Sequence, residues 1–302
     1  MTGKVTVFGS INLDLIAHVG HLPQPGETVT GGNFLSAPGG KGANQALAAA
    51  RAGAQTTLLG AIGQDAFAEQ TLPLLKAAGV DLGRLARLNA STGTALILVD
   101  GKGENLIAVA SGANYELSLS ALDGFTPSGD TVFLSQLEMD LEVTAEVLKR
   151  ARAAGARVLL NLAPFRPEVV RFLGEADLLL LNEGEAASLA GCLGLGAMPD
   201  VRLCPSLAEA TQRDVVITLG ARGLVAHIAG RPIALPAPEI SAIDTVGAGD
   251  AFCGFLAAHL AKAGQVDAAG LSFAATAGAL TCTRQGAQTA IPTRLEVEAL
   301  LR

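Results

Sequence analysis

The chain has 302 residues, 50% of them hydrophobic and 16% charged, and its formal net charge is −7. Such a chain is too apolar to be intrinsically disordered, and its acidic balance argues against a nucleic-acid-binding protein, which usually carries a basic surface. Because no apolar run approaches the roughly 20 residues that span a bilayer, and the N-terminus lacks the apolar region of a signal peptide, we expect a soluble, cytoplasmic protein with no membrane partner.

Short apolar runs of β type alternate with helical stretches along most of the chain. Helices are predicted at about 43–52 and 141–154. Strands are predicted at 5–8, 56–62, 131–134, 158–162, 177–181 and 215–218. This alternation is typical of βαβ units around a mainly parallel sheet, whose ligands bind at the carboxyl ends of the strands. The sequence therefore predicts an α/β fold with its site at that edge.

Two segments depart from this alternation. Residues 12–34 contain alternating stretches without a convincing helix, and 94–99 and 106–110 flank an Asp-Gly-Lys-Gly sequence, which is a hairpin signal. We interpret these segments as a small β-element outside the main sheet, a lid formed by about 12–34 and 92–110 within one domain at 1–302. Two surface hairpins without a function are the alternative.

The first polar pair with a recognisable pattern follows the first predicted strand. Asn12 offers a donor and an acceptor, whereas Asp14 only accepts. Two positions apart in an extended segment, the two side chains point to the same side. This pair suits the vicinal hydroxyls of a sugar, although Asn and Asp are also common in turns.

A glycine-rich loop precedes the helix predicted at 43–52. Gly39 and Gly40 let a substrate lie against the backbone, and Lys41 and Asn44 share a helix face if the helix begins here. The loop is not a Walker A motif, because the residue after Lys41 is glycine rather than Ser or Thr. No strand is followed by Gly-x-Gly-x-x-Gly, which argues against a dinucleotide-binding oxidoreductase. A helix-initiating loop with an incidental lysine is the alternative.

Further polar residues follow later strands. Glu138, Asn182, Glu185 and Thr218 lie at or just after the ends of apolar runs, and Gly220 lies in the turn after the last of them. A carboxylate in such a place can bind a hydroxyl or a hydrated metal ion, and a glycine turn lets a nucleotide approach. Solvated surface residues and a simple hairpin connection are the alternatives.

The most informative segment is Asp-Thr-Val-Gly-Ala-Gly-Asp at 244–250, which is followed by an apolar run. Gly247 and Gly249 allow a ligand to come close to the backbone, and the first N–H groups of a helix bind anions. Asp250 would repel a resting anion, but it suits a group that accepts a proton while a negative group is transferred. Capping of the helix by Asp250 is the alternative.

These motifs together resemble the ribokinase subgroup of the PfkB carbohydrate kinase family. The resemblance covers nearly the whole chain in the family's order, and its most specific runs are Gly-Gly-Lys-Gly-Ala-Asn-Gln at 39–45 and the segment at 244–250. Further matching segments lie at 9–14, 25–29, 91–93, 103–105, 111–114, 136–138, 218–220 and 283–288. The resemblance implies a three-layer α/β/α fold with a mainly parallel central sheet and a small β-sheet lid.

The resemblance also implies a reaction, in which the γ-phosphoryl group of ATP is transferred to a sugar hydroxymethyl group. Asp250 matches the base, and the N–H groups of Gly247, Ala248 and Gly249 match the anion hole. The sugar-binding positions are matched by Asn12, Asp14, Gly39, Gly40, Lys41, Asn44, Glu138 and Asp250. The ATP-binding positions are matched by Asn182, Thr218, Gly220 and Gly249, and Glu185 matches the residue that serves hydrated magnesium.

A monovalent-cation site beside the anion hole is implied in the same way, with potassium as the expected ion. Its ligands correspond to the Asp244 carboxylate and to the backbone carbonyls of Val246, Thr281, Arg284 and Gly286. Ala290 departs from the family, in which serine is often found at this position. The change weakens the site only if a hydroxyl, rather than a backbone carbonyl, is the ligand there.

The function implied by the resemblance is ATP-dependent phosphorylation of the 5-hydroxymethyl group of D-ribose, in a homodimer joined through the lid. A deoxyribose, fructose or nucleoside kinase of the same family is the nearest alternative. A catalytically silent sugar-binding protein is an alternative from a different class. The presence of Asp250 with an intact loop argues against the silent protein, which has no need of a base.

Overall fold

The computed structural model describes residues 2–123 and 127–301; residues 1, 124–126 and 302 of the predicted domain lie outside this description. The strands are β1 (Lys4–Phe8), β2 (Asn12–His18), β3 (Phe34–Gly39), β4 (Gln55–Ile62), β5 (Leu85–Arg87), β6 (Gly93–Val99), β7 (Asn105–Ala110), β8 (Thr131–Ser135), β9 (Arg157–Asn161), β10 (Leu178–Asn182), β11 (Asp214–Thr218), β12 (Leu224–Ile228) and β13 (Arg231–Leu235). The helices are α1 (Lys41–Arg51), α2 (Ala66–Thr71), α3 (Pro73–Ala77), α4 (Ala113–Glu116), α5 (Leu141–Ala153), α6 (Glu183–Cys192), α7 (Asp200–Thr211), α8 (Ala248–Ala263), α9 (Ala268–Cys282) and α10 (Arg294–Leu300). Short 3-10 segments lie at Leu119–Leu122, Pro167–Glu175 and Gly220–Arg222.

The central sheet of the described chain has 9 strands in the order β13-β12-β11-β10-β9-β8-β1-β4-β5. Pairing is parallel from β5 through to β11, and antiparallel at β11–β12 and β12–β13. Each strand predicted from the sequence is present within a residue or so of its expected bounds. The mainly parallel sheet is thus confirmed, and its parallel strands end together at one edge.

Helices cover both faces of the central sheet, which makes a three-layer α/β/α arrangement. Val5 and Val7 of β1 point to the face that is covered by α1, α8 and α9. Phe8 and Phe133 belong to the opposite core, which is covered by α5, α6 and α7. Buried residues on both faces explain why these strands read as continuous apolar runs in the sequence. None of the helices in the described ranges is long and apolar enough to cross a membrane.

A separate sheet of 4 strands, in the order β3-β2-β6-β7, lies outside the central sheet. The hairpin of β6 and β7 was predicted from the sequence. The other segment differs from the expected 12–34, because β3 begins at Phe34 and runs to Gly39. Pro38 within β3 obscured the strand signal, because proline has no backbone N–H to donate to a neighbouring strand. The fold tolerates it because β3 is an edge strand with a neighbour on one side only.

Candidate active site

A cleft of about 230 Å³ opens at the carboxyl edge of the central sheet. The beginnings of α1, α6 and α8 meet the ends of β9, β10 and β11 there. Its polar lining includes Lys41, Asn161, Asn182, Glu185, Thr218, Thr245, Gly247, Gly249 and Asp250. This is the edge at which the parallel topology predicts a ligand site.

Asp250 lies in the first turn of α8 and is only 7% exposed. Gly247 occupies the N-cap position with φ 79°, a conformation that glycine adopts without strain, and no side chain caps the helix. The Asp250 carboxylate accepts hydrogen bonds from Asn44 Nδ2 to Oδ2 and from Gln45 Nε2 to Oδ1, both 2.9 Å. Asp250 is therefore held by α1 and does not cap its own helix.

The close packing of α1 against α8 brings these amides to Asp250. Gly254 lies one turn after Asp250, and a Cβ atom at this position would be 2.5 Å from the Ala48 Cβ and from the Gln45 carbonyl oxygen. A larger residue at this crossing would force the helices apart. The apolar run after the 244–250 segment thus serves the site through its glycine as well as through its buried side chains.

Of the three backbone N–H groups predicted to form an anion hole, one has a hydrogen-bond partner among the residues that the structure describes. The Ala248 N–H donates to the Thr245 carbonyl oxygen at 3.3 Å. Gly247 and Gly249 line the cleft, and the space beside the Gly249 Cα is open. The start of α8 thus presents its positive end and a surface without side chains to the cleft.

Lys41 is the first residue of α1, two residues before the predicted start of the helix, and it lies among carboxylates. Asp250, followed by Glu138 and Glu185, raises the pKa of the Lys41 ammonium group above its ordinary value, although burial opposes this. Glu138 follows β8 and accepts hydrogen bonds from Ser10 Oγ at 2.5 Å and from the Lys41 N–H at 3.1 Å. Lys41 therefore stays protonated and provides the positive charge within this acidic cluster.

Asn12 and Asp14 approach the same region from the small sheet. Asn12 is buried, and its Oδ1 accepts a hydrogen bond of 2.8 Å from Asn114 Nδ2. Asn114 is itself anchored by the Ile11 N–H, which donates to its Oδ1 at 3.0 Å. The Asn12 amide nitrogen is thereby left to face away from Asn114.

Asp14 is in a different situation, because no hydrogen bond to its carboxylate is found among the described residues. Burial, the negative charge of Glu138 and then that of Asp250 raise its pKa from 3.8 to about 6. Gly39 lies directly against it, since a Cβ atom at that position would be 2.3 Å from the Asp14 Oδ2. The site therefore contains a carboxylate that lacks a donor.

Asn182 and Glu185 form a reciprocal capping box at the start of α6. Asn182 Oδ1 accepts from the Glu185 N–H at 2.9 Å, and Glu185 Oε2 accepts from the Asn182 N–H at 2.8 Å. Burial raises the pKa of the Glu185 carboxyl group, and the hydrogen bond from the Asn182 N–H opposes this. The Asn-x-x-Glu spacing that predicts ligand binding is also a helix-start signature, and sequence reasoning missed that second meaning.

Thr218 and Gly220 lie at the end of β11 and in the turn after it. Thr218 lines the cleft and donates from Oγ1 to the Leu181 carbonyl oxygen at 3.3 Å. Gly220 is exposed with φ 56° and begins a 3-10 turn that joins β11 to the antiparallel β12. Both readings of this segment, a hairpin connection and an open turn beside the cleft, are therefore compatible with the structure.

The residues predicted to hold a monovalent cation lie where the segment before α8 meets the C-terminus of α9. Asp244 joins the two loops, since its carboxylate accepts from the Val246 N–H at 3.0 Å and from the Gly286 N–H at 2.9 Å. The Thr281 carbonyl oxygen accepts from the Arg284 N–H at 3.3 Å. Ala290, which is fully buried, offers no hydroxyl.

Of the predicted site residues, those that line the cleft are Lys41, Asn182, Glu185, Thr218, Gly247, Gly249 and Asp250. The structure adds neighbours that sequence reasoning did not assign. Gln45, Gln136 and Asn161 form buried hydrogen bonds behind Asp250, and Ser10 and Asn114 support Glu138 and Asn12. Asn161 had a readable signal, because it is a polar residue that ends an apolar strand, as Asn182 does. The partners of the other four depend on tertiary contacts.

Comparisons with known proteins bear on the family and the fold of this chain. Residues 2–294 match the family described as pfkB family carbohydrate kinase. Ribokinase of Bacillus subtilis (strain 168) is 36% identical over 303 residues, with 99% of each chain covered. Deoxyribokinase of Salmonella typhimurium is 31% identical over 293 residues, with 95% of each covered. The structure of Arabidopsis thaliana ribokinase complexed with ribose and ATP has a TM-score of 0.89 at 29% identity and covers 100% of this chain and 99% of that one. This chain therefore belongs to the pfkB family of carbohydrate kinases.

Proposed function

We propose that the protein transfers the γ-phosphoryl group of ATP to the 5-hydroxyl of D-ribose, which yields D-ribose 5-phosphate and ADP. The observation that carries this proposal is Asp250, a buried carboxylate at the positive end of a helix, oriented by two amides beside an open glycine surface. Relatives over the full length of the chain are named ribokinases, and a ribokinase complexed with ribose and ATP has the same fold.

In the proposed reaction, Asp250 accepts the proton of the attacking hydroxyl group. The sugar oxygen forms a bond to the γ-phosphorus while the bond from that phosphorus to the bridging oxygen of ADP breaks. The N–H groups of Gly247 and Gly249 and the positive end of α8 stabilise the charge on the transferred group. Such fixed donors matter because phosphoryl transfer depends mainly on alignment and charge stabilisation.

The remaining side chains are proposed to bind the two substrates. Asn12, Asp14, Lys41, Asn44 and Glu138, with the backbone at Gly39 and Gly40, hold the sugar hydroxyls. The buried Oδ1 of Asn44 has no hydrogen-bond partner in the described part of the chain, so it can accept from such a hydroxyl. Asn182, Thr218, Gly220 and Gly249 line the ATP side.

The ion requirements are proposed from the donors that the chain offers. Glu185 has one carboxylate oxygen in the capping box, so the other is free for the hydration shell of magnesium bound with ATP. The Asp244 carboxylate and the carbonyl groups of Val246, Thr281, Arg284 and Gly286 are oxygen donors of the type that fits potassium. The carbonyls near the end of α9 add the negative end of a helix dipole. Bound magnesium would neutralise phosphate charge.

We further propose that the protein is a cytoplasmic homodimer joined through the small sheet. All side chains of β7 are exposed, and its outer edge has no strand partner among the described residues. Leu106, Ile107 and Val109 are each more than half exposed, as is Phe34 on the opposite edge strand. An apolar sheet with a free edge favours association with another sheet. A monomer in sedimentation equilibrium at micromolar concentration would contradict this assignment.

Deoxyribose kinase activity is the second candidate, because a deoxyribokinase matches 95% of the chain at 31% identity. The deciding experiment measures ATP-dependent phosphorylation of ribose, 2-deoxyribose, fructose and adenosine, with magnesium and with or without potassium. We expect the highest kcat/KM for ribose and activation by potassium. A preference for deoxyribose would keep the Asp250 mechanism and change the substrate. Sugar binding without turnover would support the silent binding protein.

A further inference from the structure

Amide side chains connect the Asp250 carboxylate to the central sheet. Gln45 donates from Nε2 to the Asp250 Oδ1 at 2.9 Å and to the Asn161 Oδ1 at 3.1 Å. Gln136 donates from its Nε2 to the Gln45 Oε1 at 2.6 Å. We refer to Gln45, Gln136 and Asn161 as the amide relay. All three are buried, so water does not compete for these hydrogen bonds.

The direction of the relay is set by a backbone carbonyl group. Asn161 donates from Nδ2 to the Leu180 carbonyl oxygen at 3.2 Å, and that oxygen can only accept. The Asn161 Oδ1 is therefore turned toward Gln45, which must meet it with Nε2. Gln45 thus presents an N–H group to Asp250, and its own oxygen faces Gln136. The orientation of the Gln45 amide follows from the strand backbone and needs no further assumption.

The relay does more than fill the core. Buried hydrogen bonds contribute little net stability, because they replace hydrogen bonds to water, and apolar side chains of the same shape can be nearly as stable. Amide side chains, unlike apolar ones, also fix the orientation of the group to which they donate. Gln45 and Asn44 each donate to a different oxygen of Asp250, so rotation of the carboxylate about its Cβ–Cγ bond breaks both hydrogen bonds.

We infer that Gln45 is a positioning residue that holds the Asp250 carboxylate in the orientation for accepting a proton, with Asn161 and Gln136 fixing Gln45. The inference rests on the proposed kinase function and deepens it, since nothing in the sequence pattern assigned a role to Gln45. Gln45 does not contact the substrate in this proposal. Because other residues bind the substrates, its loss affects kcat rather than KM.

The first test replaces Gln45 by methionine, which has a similar length and no amide. A displacement of about 1 Å at a reacting group can cost on the order of 100-fold in rate, so we expect kcat to fall about 10- to 100-fold. KM for sugar and for ATP should change much less. Gln136→Met leaves the Gln45 oxygen without its donor and should lower kcat in the same direction, by a smaller factor.

The matched control is Cys204→Ala in α7. Cys204 is buried, and its Sγ lies 3.6 Å from the carbonyl oxygen of Val215, at the amino-terminal end of β11 and away from the cleft. Its loss should lower the melting temperature without lowering kcat. A comparable loss of kcat in Cys204→Ala would mean that the relay variants act through general destabilisation, which would overturn the inference.

A double-mutant cycle with Asp250→Asn tests whether Gln45 affects kcat through Asp250 or independently of it. If Gln45 acts through Asp250, adding Gln45→Met to Asp250→Asn causes no further loss of kcat. Equal losses in both backgrounds, unchanged kcat in Gln45→Met, or a loss confined to KM would each contradict the inference. If Gln45→Met does not fold, the same cycle with Gln136→Met decides by the same criteria.

The outcomes also distinguish this inference from the proposed function. All variants are assayed with the sugar that the unmodified protein phosphorylates best. An active unmodified protein with an equally active Gln45→Met variant contradicts the relay alone. An unmodified protein that phosphorylates none of the four sugars and nucleosides contradicts the proposed function, and the relay with it.

Discussion

Asp250 and Asp14 are close enough for the charge of Asp250 to raise the pKa of Asp14, but the two carboxylates are in opposite environments. Asp250, on the side of the central sheet, has a hydrogen-bond donor on each carboxylate oxygen. Asp14, on the side of the small sheet, has none among the described residues, and burial together with Glu138 and Asp250 raises its pKa to about 6. If Asp250 is the base, as proposed, it is organised before substrate binds, whereas Asp14 would acquire its donors from the substrate.

The surroundings of the two carboxylates differ in the same way. Asp250 is a buried residue in the first turn of α8, where its carboxylate is held by α1. Asp14 is on a strand of a sheet whose outermost strand, β7, is exposed along its whole length. In the proposed function, a rigid side would perform the chemistry and an incomplete side would bind substrate, which is the division that a closing lid requires.

The largest expected effect is that of Asp250→Asn, which keeps the shape of the side chain and removes the base. Loss of a general base lowers rates by about 100- to 10,000-fold, and we expect kcat to fall within that range. Ribose binding, measured by calorimetry, should change little, because the other sugar-binding groups remain. Near-normal turnover in this variant would contradict the proposed mechanism.

Asp14→Asn tests the other carboxylate through KM. Hydrogen bonds to a charged group are worth about 1.5–3 kcal/mol, so the KM for ribose should rise about 10- to 100-fold at pH 7.5, with a smaller change in kcat. In the unmodified protein the same KM should rise as the pH falls below about 6, where Asp14 becomes protonated. An unchanged KM for ribose in Asp14→Asn would contradict the assignment of Asp14 to the sugar site.

The same variant should be more stable than the unmodified protein at neutral pH. Because the folded-state pKa of Asp14 is raised from 3.8 to about 6, the native state holds a proton that the unfolded state has lost between these values. The free energy of unfolding therefore decreases as the pH rises through this window. After a discount for partial exposure we expect a gain of about 1–2 kcal/mol for Asp14→Asn at pH 7.5.

Thermal unfolding at several pH values checks this prediction. The difference between the variant and the unmodified protein should shrink as the pH is lowered from 7.5 toward 4, since Asp14 then becomes protonated in both states. A stability difference that does not depend on pH would indicate that the charged form of Asp14 is not destabilised in the free protein. Asp14 and Asp250 would then not differ in the way described above.

The smallest expected effect concerns the support of Asn12. In the unmodified protein the Asn114 amide nitrogen donates to the Asn12 Oδ1. Asn114→Asp keeps the acceptor for the Ile11 N–H but replaces this donor by an oxygen. Loss of one hydrogen bond of about 1 kcal/mol corresponds to a rise in ribose KM of about fivefold. Cys204→Ala is again the control for destabilisation. If Asn114→Asp lowers kcat and leaves KM unchanged, Asn12 does not belong to the sugar site.

Much of the fold could be predicted because its signals are local. Buried strands such as β9 and β10 read as apolar runs, and the glycine-rich loop indicated the start of α1 to within two residues of Lys41. β3 was missed because Pro38 and Gly39 suppress the strand signal, and only its position at an edge makes proline acceptable there.

The candidate site was predictable where one short segment contains the chemistry. The segment at 244–250 indicated both the helix start and the acidic residue, but not that Asp250 leaves the capping of α8 to backbone geometry at Gly247. The Asn182–Glu185 spacing indicated a ligand site, and its role as a capping box was equally readable. A sequence motif identifies candidate residues, but it does not identify the groups to which they are hydrogen-bonded.

The sequence by itself determined the fold class, the family and the segments that contain the candidate site residues, because periodicity and short motifs are local properties of a chain. Only the tertiary structure decided the environment of each carboxylate. Asn44 and Gln45 are 206 and 205 positions from Asp250 in the sequence. They contact it because α1 packs against α8. A charge is stabilised or destabilised by the groups around it in space, and chain position does not specify those groups.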